Sequence, residues 1–165
     1  MEPYRSSRPP YVRKAMVVAH EAGIAEQMEC LPIVVSAYRI NDDILGHNPP
    51  GKIPTLIRDH GTTLFESHVI CEYLDGLRQT PQARLFPVDE HLRFQALACQ
   101  DGILELLLAR LGEERTCPAG QRPDTLLQAL KLKLTSALNA LETQASALEA
   151  AGIKISKHGG LLTPA

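Results

Sequence analysis

The sequence predicts a mixed α/β unit followed by an all-helical one. Three observations predict it. Up to about residue 77, short β-rich runs alternate with stretches at helical spacing, in the order β-α-β-(α)-β-β-α. Residues 78–90, RQTPQARLFPVDE, are polar and broken by Pro81 and Pro87, as a linker would be. From about His91 onward only helical spacing remains. These readings set an N-terminal domain over 1–79, a linker over 80–90 and a helical domain over 91–165.

Residues 2–6, EPYRS, are the candidate first strand, with Pro3 suited only to an edge or a strand start because it cannot donate to a ladder. Pro9-Pro10 ends that strand and opens a helix, since proline is tolerated in the first turn. Val12, Ala15, Met16, Ala19 and Ala22 share one face of this helix, and Gly23 suits its C-terminal cap. Residues 32–39, PIVVSAYR, are rich in β-branched side chains and read as the second strand. Asn41-Asp42-Asp43 can cap a short helical turn, which Asn48-Pro49-Pro50-Gly51 breaks.

Gly51 to Asp75, GKIPTLIRDHGTTLFESHVICEYLD, follows as strand, turn, strand and helix. Thr55-Leu56-Ile57 and Thr63-Leu64-Phe65 are the strands, with a turn at Asp59-His60-Gly61. Glu66-Ser67 opens a helix whose apolar positions are Val69, Ile70, Tyr73, Leu74 and Leu77. In the second half, one helix is expected from about Asp89 to Gly112 or slightly beyond, then a loop over 116–123. Asp124 can cap a further helix with an a/d-like stripe at Leu127, Leu130, Leu134, Ala137, Leu138, Leu141, Ala145 and Leu148, read as helix packing.

Composition narrows the function. The chain has 165 residues, 44% hydrophobic and 22% charged, with a net charge of −2. That charge offers no basic surplus for phosphate backbones, which argues against nucleic acid. No apolar run reaches the roughly 20 residues of a membrane span, and no apolar segment follows the N-terminal Arg5, Arg8 and Arg13, so neither a membrane protein nor a secreted one is expected. Cys30, Cys71, Cys99 and Cys117 form no CxxC pair, and the histidines no HExxH. The cysteines read as reduced thiols of a cytoplasmic protein, and no metal site is expected.

PYVRKAMVVAHEAGI (10–24), HNPPGKIPTLIRDHGTTLFESHVICEYLD (47–75) and ACQDGILE (98–105) together resemble the glutathione transferases, in particular bacterial members, over about residues 1–150. The resemblance implies a thioredoxin-like N-terminal domain, an all-α C-terminal domain, a homodimer, and glutathione as co-substrate. It implies a cis Ile53–Pro54 bond that exposes the Ile53 backbone to a peptide ligand, which pairs like an added strand. It places the γ-glutamyl carboxylate on Ser67 and the ammonium on Glu66, at a helix start that favours an anion. Lys52 is the candidate for the glycine carboxylate, with Arg39 or His47 assisting.

Catalysis in this family stabilises the glutathione thiolate, since a free thiol of pKa about 8.5 is mostly protonated at neutral pH. Matching the zeta-class segment to Tyr11-Val12-Arg13 puts Ser6 at the catalytic serine with Ser7 beside it; omega-class members carry cysteine at the Ser6 position. A serine can donate to the thiolate but cannot form a mixed disulfide, which favours transferase or isomerase chemistry. Pro9 stands where many relatives have serine. Tyr11, Ile103, Leu107 and Arg110 are candidate walls of an electrophile pocket, and Asp101 a candidate acid reaching across a dimer.

Relatives open a further buried helix with a Ser/Thr-x-x-Asp capping box, which is missing here after Glu149. The helical domain is therefore expected to be incomplete, through truncation or a shifted reading frame, with IKISKHGGLLTPA (153–165) as a frayed end and with reduced stability. The expected function is conjugation of glutathione to small electrophiles, as in detoxification. The alternatives are a non-catalytic transferase-fold protein that binds partners, and a defective form that keeps the glutathione site.

Overall fold

The computed structural model describes residues 2–5, 10–35, 40–78, 84–99 and 102–150. The chain forms two compact units, the first running to Val88 and the second starting at Asp89.

The first unit is built on a four-stranded mixed sheet in the order β2-β1-β3-β4. Strand β1 (Glu2–Arg5) runs parallel to β2 (Leu31–Pro32), pairing Tyr4 with Leu31 and Arg5 with Pro32. On its other side it is antiparallel to β3 (Thr55–Ile57), pairing Glu2 with Ile57, Pro3 with Leu56 and Tyr4 with Thr55. So Pro3 sits in an interior strand. It is tolerated near the strand start because pairing with β2 begins only at Tyr4. Strand β2 is much shorter than the expected 32–39. Residues 33–35 are not strand, and 36–39 lie outside the described residues. Pro32, which pairs with Arg5, brings no N–H to the ladder.

Helix α1 (Pro10–Glu21) buries Val12, Ala15, Val18 and Ala19 and packs against α3 (Ser67–Gly76). It ends as Gly23 predicts. Gly23, at φ 72°, donates to the His20 carbonyl and Ile24 donates to that of Ala19, the paired bonds of a Schellman motif. The short α2 (Asp42–Leu45) is capped by Asn41, whose side chain accepts from the Ile44 N–H at 3.3 Å. Ile44 is fully buried and forms a cluster with Val12 and Ile53, against which Met16, Ile33 and Val35 pack. Strand β4 (Thr63–Phe65) returns antiparallel to β3 through Asp59-His60-Gly61, with Gly61 at φ 85°. This is the three-residue hairpin loop that glycine at the left-handed position allows.

Helix α3 buries Ser67, Ile70, Cys71, Leu74 and Asp75, while Val69 and Leu77 are exposed. Each of Ile44, Leu56, Ile70 and Leu74 is at most 2% exposed, and burial of such a side chain stabilises by about 1.5–3 kcal/mol. Asp75 looks out of place on that face, but its carboxylate has a use. Its two oxygens accept from the backbone N–H groups of Leu85 (2.7 Å) and Phe86 (3.0 Å). Arg78 stands 3.7 Å from Asp75 and also donates to the Glu21 carbonyl at the end of α1. The segment read from the sequence as linker is thus drawn back, with Leu85 and Phe86 buried.

The second unit contains α4 (Glu90–Cys99), α5 (Gly102–Thr116) and α6 (Asp124–Ala150), with α5 packed on α6. Helix is described on both sides of residues 100 and 101, which lie outside the described set. Along α6 the partly or fully buried positions include Leu127, Leu130, Leu134, Ala137, Leu141 and Ala145. Leu138, assigned to the same stripe from sequence, is 54% exposed because it lies a further 100° round the helix from Ala137. The side chain of Leu148 and the tail 151–165 lie outside the described residues. Among the described residues no helix is long and apolar enough to cross a membrane.

Candidate functional site

The register of the sheet gathers the candidate residues. Thr55, the first residue of β3, pairs with Phe65, the last of β4. Pro54 and Glu66 therefore flank the same end of this pair, one residue beyond it on each strand. Tyr4 pairs with Thr55 from the other side, so the C-terminal end of β1 reaches that end too. Ser6 and Ser7 follow Arg5 directly but lie outside the described residues, as do Arg39 and Asp101.

The Ile53–Pro54 peptide bond is cis, as the sequence motif implies. The loop before it is braced by buried polar groups. Asn48, 1% exposed, donates from its side-chain amide to the Lys52 carbonyl (2.9 Å) and to the Thr55 hydroxyl (3.0 Å). The Thr55 hydroxyl in turn donates to the Lys52 carbonyl at 2.8 Å. The Lys52 side chain is exposed, while Ile53 and Pro54 are buried. Gly51, at φ 63°, leads out of the turn that its own N–H closes onto the Asn48 carbonyl. Its position would bring a Cβ within 3.3 Å of Leu45, a second reason for glycine there.

Across the sheet end, Glu66 alone joins β4 to α3. It takes φ 69° and ψ 119°, the one positive φ among described non-glycine residues. A residue held in such a region costs about 1–3 kcal/mol, and such strain collects at ligand sites. The Glu66 side chain is exposed and makes no capping bond, so it is available to a ligand cation. Ser67, 6% exposed, is the first residue of α3, where unpaired N–H groups and the helix dipole favour an anion. Replacing Glu66 by glycine is expected to raise unliganded stability by about 1 kcal/mol by relieving the strain. Thermal melts of the two proteins check this, and an unchanged or lower midpoint would show that the strain at Glu66 does not outweigh the unfolded-state entropy that glycine adds.

The candidate pocket walls are placed one unit at a time. Tyr11 is half-buried on α1 with the Lys14 ammonium 5.8 Å from its ring centre. His47 is exposed beside Asn48. In the second unit Ile103 lies in α5 with its side chain outside the described residues, and Leu107 is 40% exposed. Arg110 lines a groove between α5 and α6 with Leu127, Lys131, Leu134 and Leu138.

Sequence reasoning missed three features here. Asn48 read only as a helix breaker. The strain at Glu66 has no sequence signal short of knowing that one residue must join strand to helix. The buried Asp75 did have a signal, since it lies four residues after Cys71 on the apolar face of α3.

Fold and site together define a thioredoxin-like N-terminal domain followed by a helical part. Residues 10–77 match the family model of the glutathione S-transferase N-terminal domain. The chain is 32% identical over 137 residues to an uncharacterised GST-like protein, YibF, of Escherichia coli (strain K12), covering 81% of this chain and 64% of that protein. It is 37% identical over 78 residues to a stringent starvation protein A homologue of Histophilus somni, covering 47% of this chain and 34% of that one. The crystal structure of a glutathione transferase family member from Pseudomonas fluorescens Pf-5, with bound glutathione, superposes with a TM-score of 0.79 at 30% identity, covering 91% of this chain and 74% of that one. The chain belongs to the glutathione S-transferase superfamily. It spans less than two thirds of the length of either protein relative.

Proposed function

We propose that this chain binds glutathione at the end of the sheet where β3 begins and β4 ends, and transfers it to small electrophiles. The observation that carries the reading is the Thr55–Phe65 register, which sets Ile53–Pro54 and Glu66–Ser67 side by side. In this reading Ser67 and the α3 N-terminus take the γ-glutamyl carboxylate, and Glu66 takes the ammonium, a complementary pair for a zwitterion. The backbone of Ile53 pairs with the peptide, as an added strand would. Lys52, exposed on the braced loop, takes the glycine carboxylate. Ser6 or Ser7 donates a hydrogen bond to the sulfur, which favours the thiolate. The thiolate then attacks a carbon centre of the electrophile, and its negative charge leaves with the displaced group. Holding both reactants together supplies much of the acceleration. The chain acts as a cytoplasmic homodimer in this reading, with detoxification as its role. The bound glutathione in the Pseudomonas fluorescens relative supports the choice of ligand.

Titration calorimetry with glutathione and conjugation of a generic aryl halide test the two halves of the proposal. Binding with turnover is expected. Binding without turnover would overturn the transferase claim and favour a transferase-fold protein that acts through partners. No binding would overturn the glutathione site itself.

A further inference from the structure

We infer that Asn48 is a positioning residue for the glutathione main chain: with Thr55 it holds the Lys52–Ile53 peptide so that the Ile53 N–H faces the ligand. This rests on the glutathione-binding reading above. The Lys52 carbonyl receives two short hydrogen bonds, one from the Asn48 amide at 2.9 Å and one from the Thr55 hydroxyl at 2.8 Å. The Lys52–Ile53 bond is trans, Ile53–Pro54 being the cis bond among the described residues. In a planar trans peptide the carbonyl and the N–H point in opposite directions. Drawing the Lys52 oxygen toward Asn48 therefore turns the Ile53 N–H the other way. That N–H is the donor an added peptide strand requires.

The polarity at Asn48 is retained at a cost. Its Oδ1 is buried and has no hydrogen-bond partner among the described residues, and a buried acceptor without a partner destabilises a fold. The Thr55 proton is committed to the Lys52 carbonyl, so the asparagine must meet Thr55 with its NH2 and leave its oxygen idle. Asn48 is itself fixed by its backbone, which donates to the Ile44 carbonyl (2.7 Å) and accepts from the Gly51 N–H (2.8 Å). Ile44 is fully buried, so the brace is anchored in the core.

The test is a glutathione titration of the isotopically labelled full chain, followed by amide NMR at Ile53 and Ser67. In the wild-type protein both amides are expected to shift. In Asn48→Ala the Kd is expected to rise about tenfold, and at saturation the Ile53 shift is lost while that of Ser67 persists. Thr55→Val keeps the shape and the Asn48–Lys52 bond, so it should weaken binding by only about threefold with the same selective loss. It carries the test if Asn48→Ala does not fold. Equal loss at both amides, or an intact Ile53 shift in the variants, would overturn the positioning role alone. A wild-type chain with neither amide shifted would overturn the glutathione reading and this inference with it.

Discussion

Replacing Ser67 by alanine is expected to weaken glutathione binding by about 1.5–3 kcal/mol, or roughly ten- to a hundredfold in Kd. The magnitude follows from the kind of bond that is lost. Ser67 would donate to a carboxylate, and hydrogen bonds to charged groups are stronger than neutral ones. The site is also well shielded, with Ser67 6% exposed at the start of a ten-residue helix. The backbone N–H groups of α3 remain in the variant, so some affinity for the anion should survive. Ser67→Thr keeps a hydroxyl and should recover part of the loss. Calorimetry with glutathione reads the effect, and a melt of the unliganded variant shows whether the helix start has kept its stability. An affinity equal to wild type would remove Ser67 from the ligand's contacts.

The second large effect concerns stability. Asp75→Ala is expected to destabilise the chain by about 3–5 kcal/mol, the range for removing one partner of a buried charge network. The carboxylate is 2% exposed and satisfies the N–H groups of both Leu85 and Phe86. Truncation takes the Asp75 oxygens away from both N–H groups and removes the charge facing Arg78. Asp75→Asn tests the same point more gently. It keeps one acceptor oxygen but turns an NH2 toward the other N–H, so a smaller loss of about 1–3 kcal/mol is expected. Urea unfolding followed by circular dichroism measures both. If Asp75→Ala unfolds at the wild-type midpoint, the clamp on residues 85 and 86 contributes nothing.

The two effects differ in how visible they were beforehand. Ser67 was legible because a strand-turn-strand-helix pattern ended in an acid and a hydroxyl, all within one short stretch. The turn at Asp59-His60-Gly61, the cap at Gly23 and the short helix after Asn41 were legible for the same reason, as each is decided by residues a few positions apart. The second strand was overread. Its β-branched run continues past Pro32, but residues 33–35 are not strand, and Pro32 itself brings no N–H to the ladder with β1. Leu138 was overread on α6, where one residue of drift moves a side chain from a stripe into solvent.

The sequence by itself determined the order of elements, the local turns and caps, and the resemblance that points to glutathione. These depend on helical and strand periodicity and on the special backbone of glycine and proline, which act over a few residues. Tertiary structure alone decided that β1 lies inside the sheet, that Pro54 and Glu66 stand at one end of the β3–β4 pair, and that Glu66 carries a positive φ. It also decided the partners of Asp75, a polar side chain buried because the N–H groups of Leu85 and Phe86, ten and eleven residues on, need it, and it buried Asn48 against the loop that it braces. A buried polar residue is stable only when its partners arrive, and their arrival depends on the whole packed unit.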